Sequence, residues 1–251
     1  MRNYLAAECY KVFRRKYLYL TLLVVLALEG LMLWGFWFTW SNGNTQMDFY
    51  SAVIMIPMML SIGLYATILT GDMVFSEQYK HNTLKNEVSY GLSRVRIYLG
   101  KLAVATLVAL LAAVVMVALY MAGCWVLLPH NELDQTGLAL VGYTLAGALP
   151  LWLGAQGVVL ACYFLVRNTT LAAFVAVALL GVVPPILQLC GLLIHPTFEM
   201  IRQFMPAVML EQLHIYAFQW DYVGRCWMVG LVVLAGSILV GLLAFRKKEI
   251  R

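Results

Sequence analysis

Six apolar runs, each long enough to cross a bilayer, leave this chain little freedom in how it folds. They are roughly Tyr17–Trp40, Ala52–Thr70, Leu102–Leu128, Leu138–Val166, Leu171–Ile194 and Val223–Phe245. An α-helix rises about 1.5 Å per residue, so about 20 residues cover the hydrocarbon core, and the longer runs must tilt, kink or project beyond it. Charged residues make up 12% of the 251, about half the share usual in a soluble domain. The connecting loops are too short to hold a soluble domain of useful size. The chain therefore reads as all-α, a single polytopic transmembrane domain over residues 1–251.

Lysine and arginine set its orientation. Five lie in residues 1–16 (Arg2, Lys11, Arg14, Arg15, Lys16) and five in 72–101 (Lys80, Lys85, Arg94, Arg96, Lys101). Arg167 lies between runs four and five, and Arg246, Lys247, Lys248 and Arg251 follow run six. Fifteen of the seventeen thus fall on one side of a six-span chain. The opposite loops hold Asp48, Glu132, Asp134, Glu199, Glu211 and Asp221, with only Arg202 and Arg225 as cations. By the positive-inside rule both termini are cytoplasmic. The net charge of +5 then reflects topology and contact with anionic lipid heads, and nucleic acid is not an expected partner. The first run exceeds a secretory h-region and no small-x-small site follows it, so it reads as a retained span.

Catalytic signatures are missing. Gly100-Lys101 looks like the end of a phosphate loop, but Leu102 stands where a Ser or Thr would hold magnesium, and the upstream glycine is absent. There is no HExxH, the four histidines never pair at ligand spacing, and no GxSxG occurs. The five cysteines are scattered without a CxxC and read as small apolar fillers. Neither a metal, a cofactor nor an enzymatic activity is expected in this chain.

Three segments carry more information. Residues 2–16 read as an amphipathic helix in the cytoplasmic interface, with Leu5, Cys9, Val12 and Phe13 on one face and Glu8, Lys11 and Arg15 elsewhere. In 72–101, the second span continues past the membrane, Asn82 or Thr83 caps a short helix over Leu84–Tyr90, Gly91 stops it, and Ser93 caps the helix that enters span three. Leu84, Val88, Tyr90 and Leu92 have no evident core to join there and read as a partner surface. In 195–222, Phe198, Ile201, Phe204, Met205 and Val208 recur at helical spacing until Pro206 interrupts them.

The stretches AAECYKVFRRKYLYL before span one and FSEQYKHNTLKNEVSYGLSRVRIYLGK between spans two and three resemble permease subunits of type-2 ABC transporters. The likeness extends to bacterial permeases that include lantibiotic self-protection subunits. It implies that the 72–101 loop carries a coupling helix docking in a cleft of a separate ATPase, with Glu77, Asn82, Thr83, Leu84, Lys85, Asn86, Val88, Gly91 and Arg94 as coupling residues. It also implies two ATPase copies that hold ATP and magnesium, a second permease copy or sister permease, and a place in the bacterial cytoplasmic membrane. Short helices dipping into the outer leaflet are implied for 195–222.

Within the spans, Glu29 lies twelve residues past Tyr17, about 18 Å along the helix. A charge at that depth costs about 2.5–3.5 kcal/mol, so Glu29 must be protonated, paired or facing a wet or protein-lined surface. With Gln156 and Gln188 it is a candidate for the substrate path or a subunit interface. Ala105, Ala109 and Ala113, and likewise Gly142 and Ala146, have the spacing for close helix packing. Pro57, Pro150 and the Pro184-Pro185 pair are expected to kink or loosen their helices. The leading function is an exporter permease for a hydrophobic or amphipathic cargo, and the resemblance points to a peptide antibiotic. The alternatives are a proton-coupled carrier working through Glu29 and a membrane scaffold or sensor that does not transport.

Overall fold

The computed structural model of the chain describes residues 2–44, 46–80 and 83–247. The fold is 85% helical, with no strand among the described residues. In chain order the helices are α1 (Arg2–Phe13), α2 (Lys16–Ser41), α3 (Phe49–Val53), α4 (Ile56–Lys80), α5 (Thr83–Ser89) and α6 (Arg94–Leu127). After these come α7 (Asp134–Leu165), α8 (Thr169–Val177), a π-helical turn over Ala178–Val182, α9 (Val183–Leu193), α10 (Thr197–Gln203), α11 (Pro206–Gln212) and α12 (Trp220–Lys247). Among the described residues, six segments are long and apolar enough to cross a membrane: α2, α3–α4, α6, α7, α8–α9 and α12.

Two crossings extend well past their apolar runs. α4 continues to Lys80 and α6 begins at Arg94, so together they hold α5 beyond the end of the bundle. Local chemistry defines the boundaries. Gly91, at φ 83°, ends α5: its N–H donates to the Val88 carbonyl and the Leu92 N–H donates to that of Glu87, the pattern that a left-handed residue after a helix permits. The Ser93 hydroxyl then accepts from the Arg96 N–H and opens α6. At the far end, Asp48 and Ser51 cap α3 reciprocally.

Proline acts where the helices change character. Pro57 sits just past the break between α3 and α4, and Pro184-Pro185 lie in the first turn of α9 after the π turn, so the fifth crossing is irregular as its sequence implies. α7 runs unbroken through Pro150.

α7 is the core of the bundle, with 72% of its most apolar stretch buried against 11% for α2. α12 lies along it at glycine positions. A Cβ on Gly230 would run into the backbone carbonyl of Pro150, and Gly154 in turn faces Gly230 and Val233. The small pairs expected to mediate packing are therefore not all used so. Gly142 meets open space, while Ala109 and Ala113 line a cavity. Spacing alone does not identify which of several small residues faces a neighbour.

The stretch between the last two crossings also enters the bundle. Ala207, Val208, Met209, Leu210 and Leu213 are buried, and Leu213 packs on Gly147, thirteen residues and thus about 20 Å along α7 from Asp134. Tyr143 donates to the carbonyls of Tyr216 and Gln219, and Tyr222 to that of Met209, which ties the segment to α7 and α12.

Two glycines of α12 separate close approach from mere helix propensity. Gly230→Ala forces α12 off α7 and is expected to cost about 1–3 kcal/mol, which would lower the Tm of the detergent-purified chain by several degrees. Gly236→Ala, where nothing lies within 4 Å, is expected to leave the Tm unchanged or raise it. Equal shifts would show that the two helices do not depend on contact at Gly230.

Candidate functional site

The residues that hold α5 come from α1 and from the start of α6. Tyr4, Glu8 and Lys11 recur at i, i+4 and i+7 and share one face of α1. That face lies against Gly100-Lys101 of α6. Gly100 has no side chain to keep the Tyr4 ring away, and the Lys101 ammonium, completely buried, lies 2.9 Å from Glu8 Oε2 and 3.6 Å from Glu87 Oε1. Glu87 comes from α5. It accepts a hydrogen bond from the Tyr4 hydroxyl at 3.1 Å and one from Lys11 Nζ at 3.4 Å, and Lys11 also donates to Glu8. Two carboxylates and two ammonium groups thus neutralise one another where α1, α5 and α6 meet. Lys101 also lies 5.9 Å from the Phe75 ring centroid, which brings in α4.

Burial alone pushes the Glu8 carboxyl up. The Lys101 charge and the hydrogen bonds from Lys11 and Lys101 outweigh it and hold the group below its ordinary value. Burial, reinforced by Glu8 and Glu87, pushes the Tyr4 phenol well up, so it stays a neutral donor. For Lys11, burial opposes the charge but Glu8 and Glu87 prevail and raise it.

This geometry corrects two expectations. Glu8 is not on a polar outer face of α1 but is 1% exposed, because its counter-charge lies 93 residues away on α6. Leu84 is buried, and Val88 and Leu92 pack against the core. The extensions of α4 and α6 carry that core outward, so these three residues do have one to join and do not form a partner surface. The exposed face of α5 consists of Lys85, Asn86 and Ser89, with Tyr90 just beyond at 87% exposure. Gly91 is the helix stop described above. Arg94 donates to the carbonyls of Phe245 and Arg246 and sits over the Phe245 ring, joining the start of α6 to the end of α12. Asn82 and the side chains of Glu77 and Thr83 lie outside the described residues.

The intramembrane candidates divide. Glu29 and Gln156 both line a cavity of about 560 Å³ between α2, α4, α6 and α7. Gln156 accepts a hydrogen bond from Thr70 at 2.8 Å. Gln188 lies on the exposed side of α9 and is not among the residues lining that cavity. Among the described residues, no group of three or more His, Cys, Asp or Glu could hold a metal ion. The residues that sequence reasoning missed are Tyr4, Glu8, Glu87 and Lys101. A Glu and a Tyr four apart before span one, opposite a Gly-Lys pair, is the signal that was available.

Residues 4–185 match the family model described as ABC-2 family transporter protein. The matched region holds α1, the α4–α5–α6 unit and most of the fifth crossing. The chain belongs to the ABC-2 family, as a multi-pass protein of the cell membrane. Members of this family are the transport subunits, not the catalytic ones, and membership implies an ATPase partner. A search of curated proteins finds no match.

Removing one member of a buried ion pair strands the other. Lys101→Met is expected to destabilise the chain by about 3–5 kcal/mol, and adding Glu8→Gln should recover most of it, both read as Tm in detergent. The depressed Glu8 value means that its contribution is complete above the ordinary carboxyl value of 4.5 and is lost as pH falls through the depressed one. Glu8→Gln should remove that acid-side loss. If the double variant were as unstable as Lys101→Met alone, the pairing would not be the source of the stability.

Proposed function

We propose that this chain is the membrane-spanning permease subunit of an ATP-binding-cassette exporter, driven by a separate ATPase that docks on α5. The observation that carries the reading is the two-sided character of α5. Its inner side is fixed by Leu84, Val88 and Glu87, while Lys85, Asn86 and Tyr90 face outward. A helix held in this way can pass on a push without absorbing it. The push would reach α1 and α6 through Glu87, and the membrane through the continuous α4 and α6 helices.

In this reading both termini are cytoplasmic, in keeping with the lysine and arginine distribution. ATP and magnesium belong to two copies of the partner ATPase, and the permease pairs with a second copy or a sister chain. The cargo path lies at the seam between the two permeases, and the cargo is hydrophobic or amphipathic. A peptide antibiotic is supported only by the resemblance of the coupling segment to lantibiotic-protection permeases. α10 and α11 act as a re-entrant pair in the outer leaflet, a role supported by the burial of α11 about 20 Å along α7. Membership in a family that works with an ATPase speaks against a proton-coupled carrier and against a scaffold.

The test is a pull-down of the tagged chain from its native membrane. Wild type is expected to bring down an ATPase. A Lys85→Glu, Tyr90→Asp double variant should lose most of it while keeping the wild-type Tm, since neither side chain contributes to the core. Retention of the ATPase by that variant would place the docking surface elsewhere, and its absence from the wild-type sample would remove the basis for the reading.

A further inference from the structure

We propose that the slot between α2, α4, α6 and α7 is a binding site for a slender lipophilic cation, contained within one copy of the chain, with Glu29 as its counter-charge. α2 meets the bundle at Leu18 and Leu22 near its start and at Met32, Leu33 and Phe36 further along, and the slot lies between them. Leu18 is buried near its start, and Leu33 sits over Gly123 of α6 further along. Between them α6 presents Ala109, Ala112 and Ala113, whose side chains are too short to fill the gap. The lining runs from Leu18 to Met32 on α2, which corresponds to about 21 Å. A volume of about 560 Å³ spread over that length suits an elongated ligand, and it falls within the usual range for small-molecule sites.

The wall is apolar except for a few polar groups, most of which are satisfied internally. Thr67 donates to Leu64, Tyr120 to Ala52 and Trp152 to Leu60, each at a backbone carbonyl. Thr70 donates to Gln156 Oε1. Two fully buried side-chain atoms of the wall, Glu29 Oε2 and Gln156 Nε2, have no hydrogen-bond partner among the described residues. Glu29 is 9% exposed, and no lysine or arginine is among the lining residues. An acyl chain would cover the apolar wall and leave both polar atoms unpaired. A flat or extended molecule with one cationic nitrogen supplies the missing charge at Glu29. A charge that is costly alone at this depth becomes favourable once it is paired inside the slot.

The site goes beyond the exporter reading and does not rest on it, because binding is measured on the chain without nucleotide or partner. The chain is reconstituted in phosphatidylcholine nanodiscs and titrated with a dimethylaminostyryl-N-methylpyridinium dye, a slender monocation whose fluorescence rises on immobilisation. The uncharged dimethylaminostyrylpyridine of the same shape is titrated in parallel. Wild type is expected to bind the cationic dye saturably. Glu29→Gln should weaken that binding about tenfold or more and leave the uncharged dye unaffected. Glu29→Asp should keep the preference for the cation, and Ala113→Trp, which fills the slot, should abolish binding of both. Thermal unfolding of each variant shows that it is folded. Equal binding of the two dyes to wild type and Glu29→Gln would overturn the proposal in favour of a slot for lipid chains. Absence of saturable binding to folded wild type would overturn it outright.

Discussion

The buried contact between Lys101 and Glu8 is the interaction on which the arrangement at the basic end depends. An ammonium group with no solvent exposure is tolerated only with counter-charges and hydrogen bonds around it. Glu8 supplies them from α1 and Glu87 from α5. Each carboxylate is itself largely buried, so neither helix can leave without stranding a charge. This makes α1, α5 and the start of α6 a single mechanical unit, although α5 spans only Thr83–Ser89 and would not persist alone in water.

An aromatic chain continues this unit into the bundle. Phe75 of α4 meets Phe164 of α7 edge-on, and Phe164 in turn contacts Tyr98 of α6 and Phe245 of α12. Arg94 closes the path by donating to the last carbonyls of α12 and covering Phe245. Such contacts have geometric preferences as well as buried area, so a displacement at α5 meets close-packed rings and not a compliant interior. The electrostatic clamp and the aromatic chain together join a short helix beyond the bundle to four crossings.

Further from that end the packing is less even. α7 and α12 approach closely through glycines, whereas α2 touches the bundle at separated points and leaves a slot beside it. Membrane helices associate without a hydrophobic drive between them, so a crossing backed by short side chains need not close every gap. Glu29 lies in that less tightly packed region and not in the glycine-packed seam.

The helical class, the six crossings, the short helix between α4 and α6 and the stop at Gly91 were legible from the chain alone. They follow from run length, capping chemistry and backbone conformation, which act over a few residues. The inward turn of Glu8, the importance of Gly100-Lys101 and the core-facing side of Leu84 and Val88 were not legible. Each depends on a partner distant in sequence: Lys101 for Glu8, Tyr4 for Gly100, and, for the orientation of α5, the Tyr4 and Lys11 groups of α1 that hold Glu87. Likewise, the sequence marks Glu29 as costly and Ala109 and Ala113 as small, but only the placement of α2 decides that they share one cavity and that Gln188 lies outside it. Local propensity determines which helices form. Which faces of those helices meet is decided by the packing of distant segments, because burying a charge or leaving a gap is settled only when the neighbour is in place.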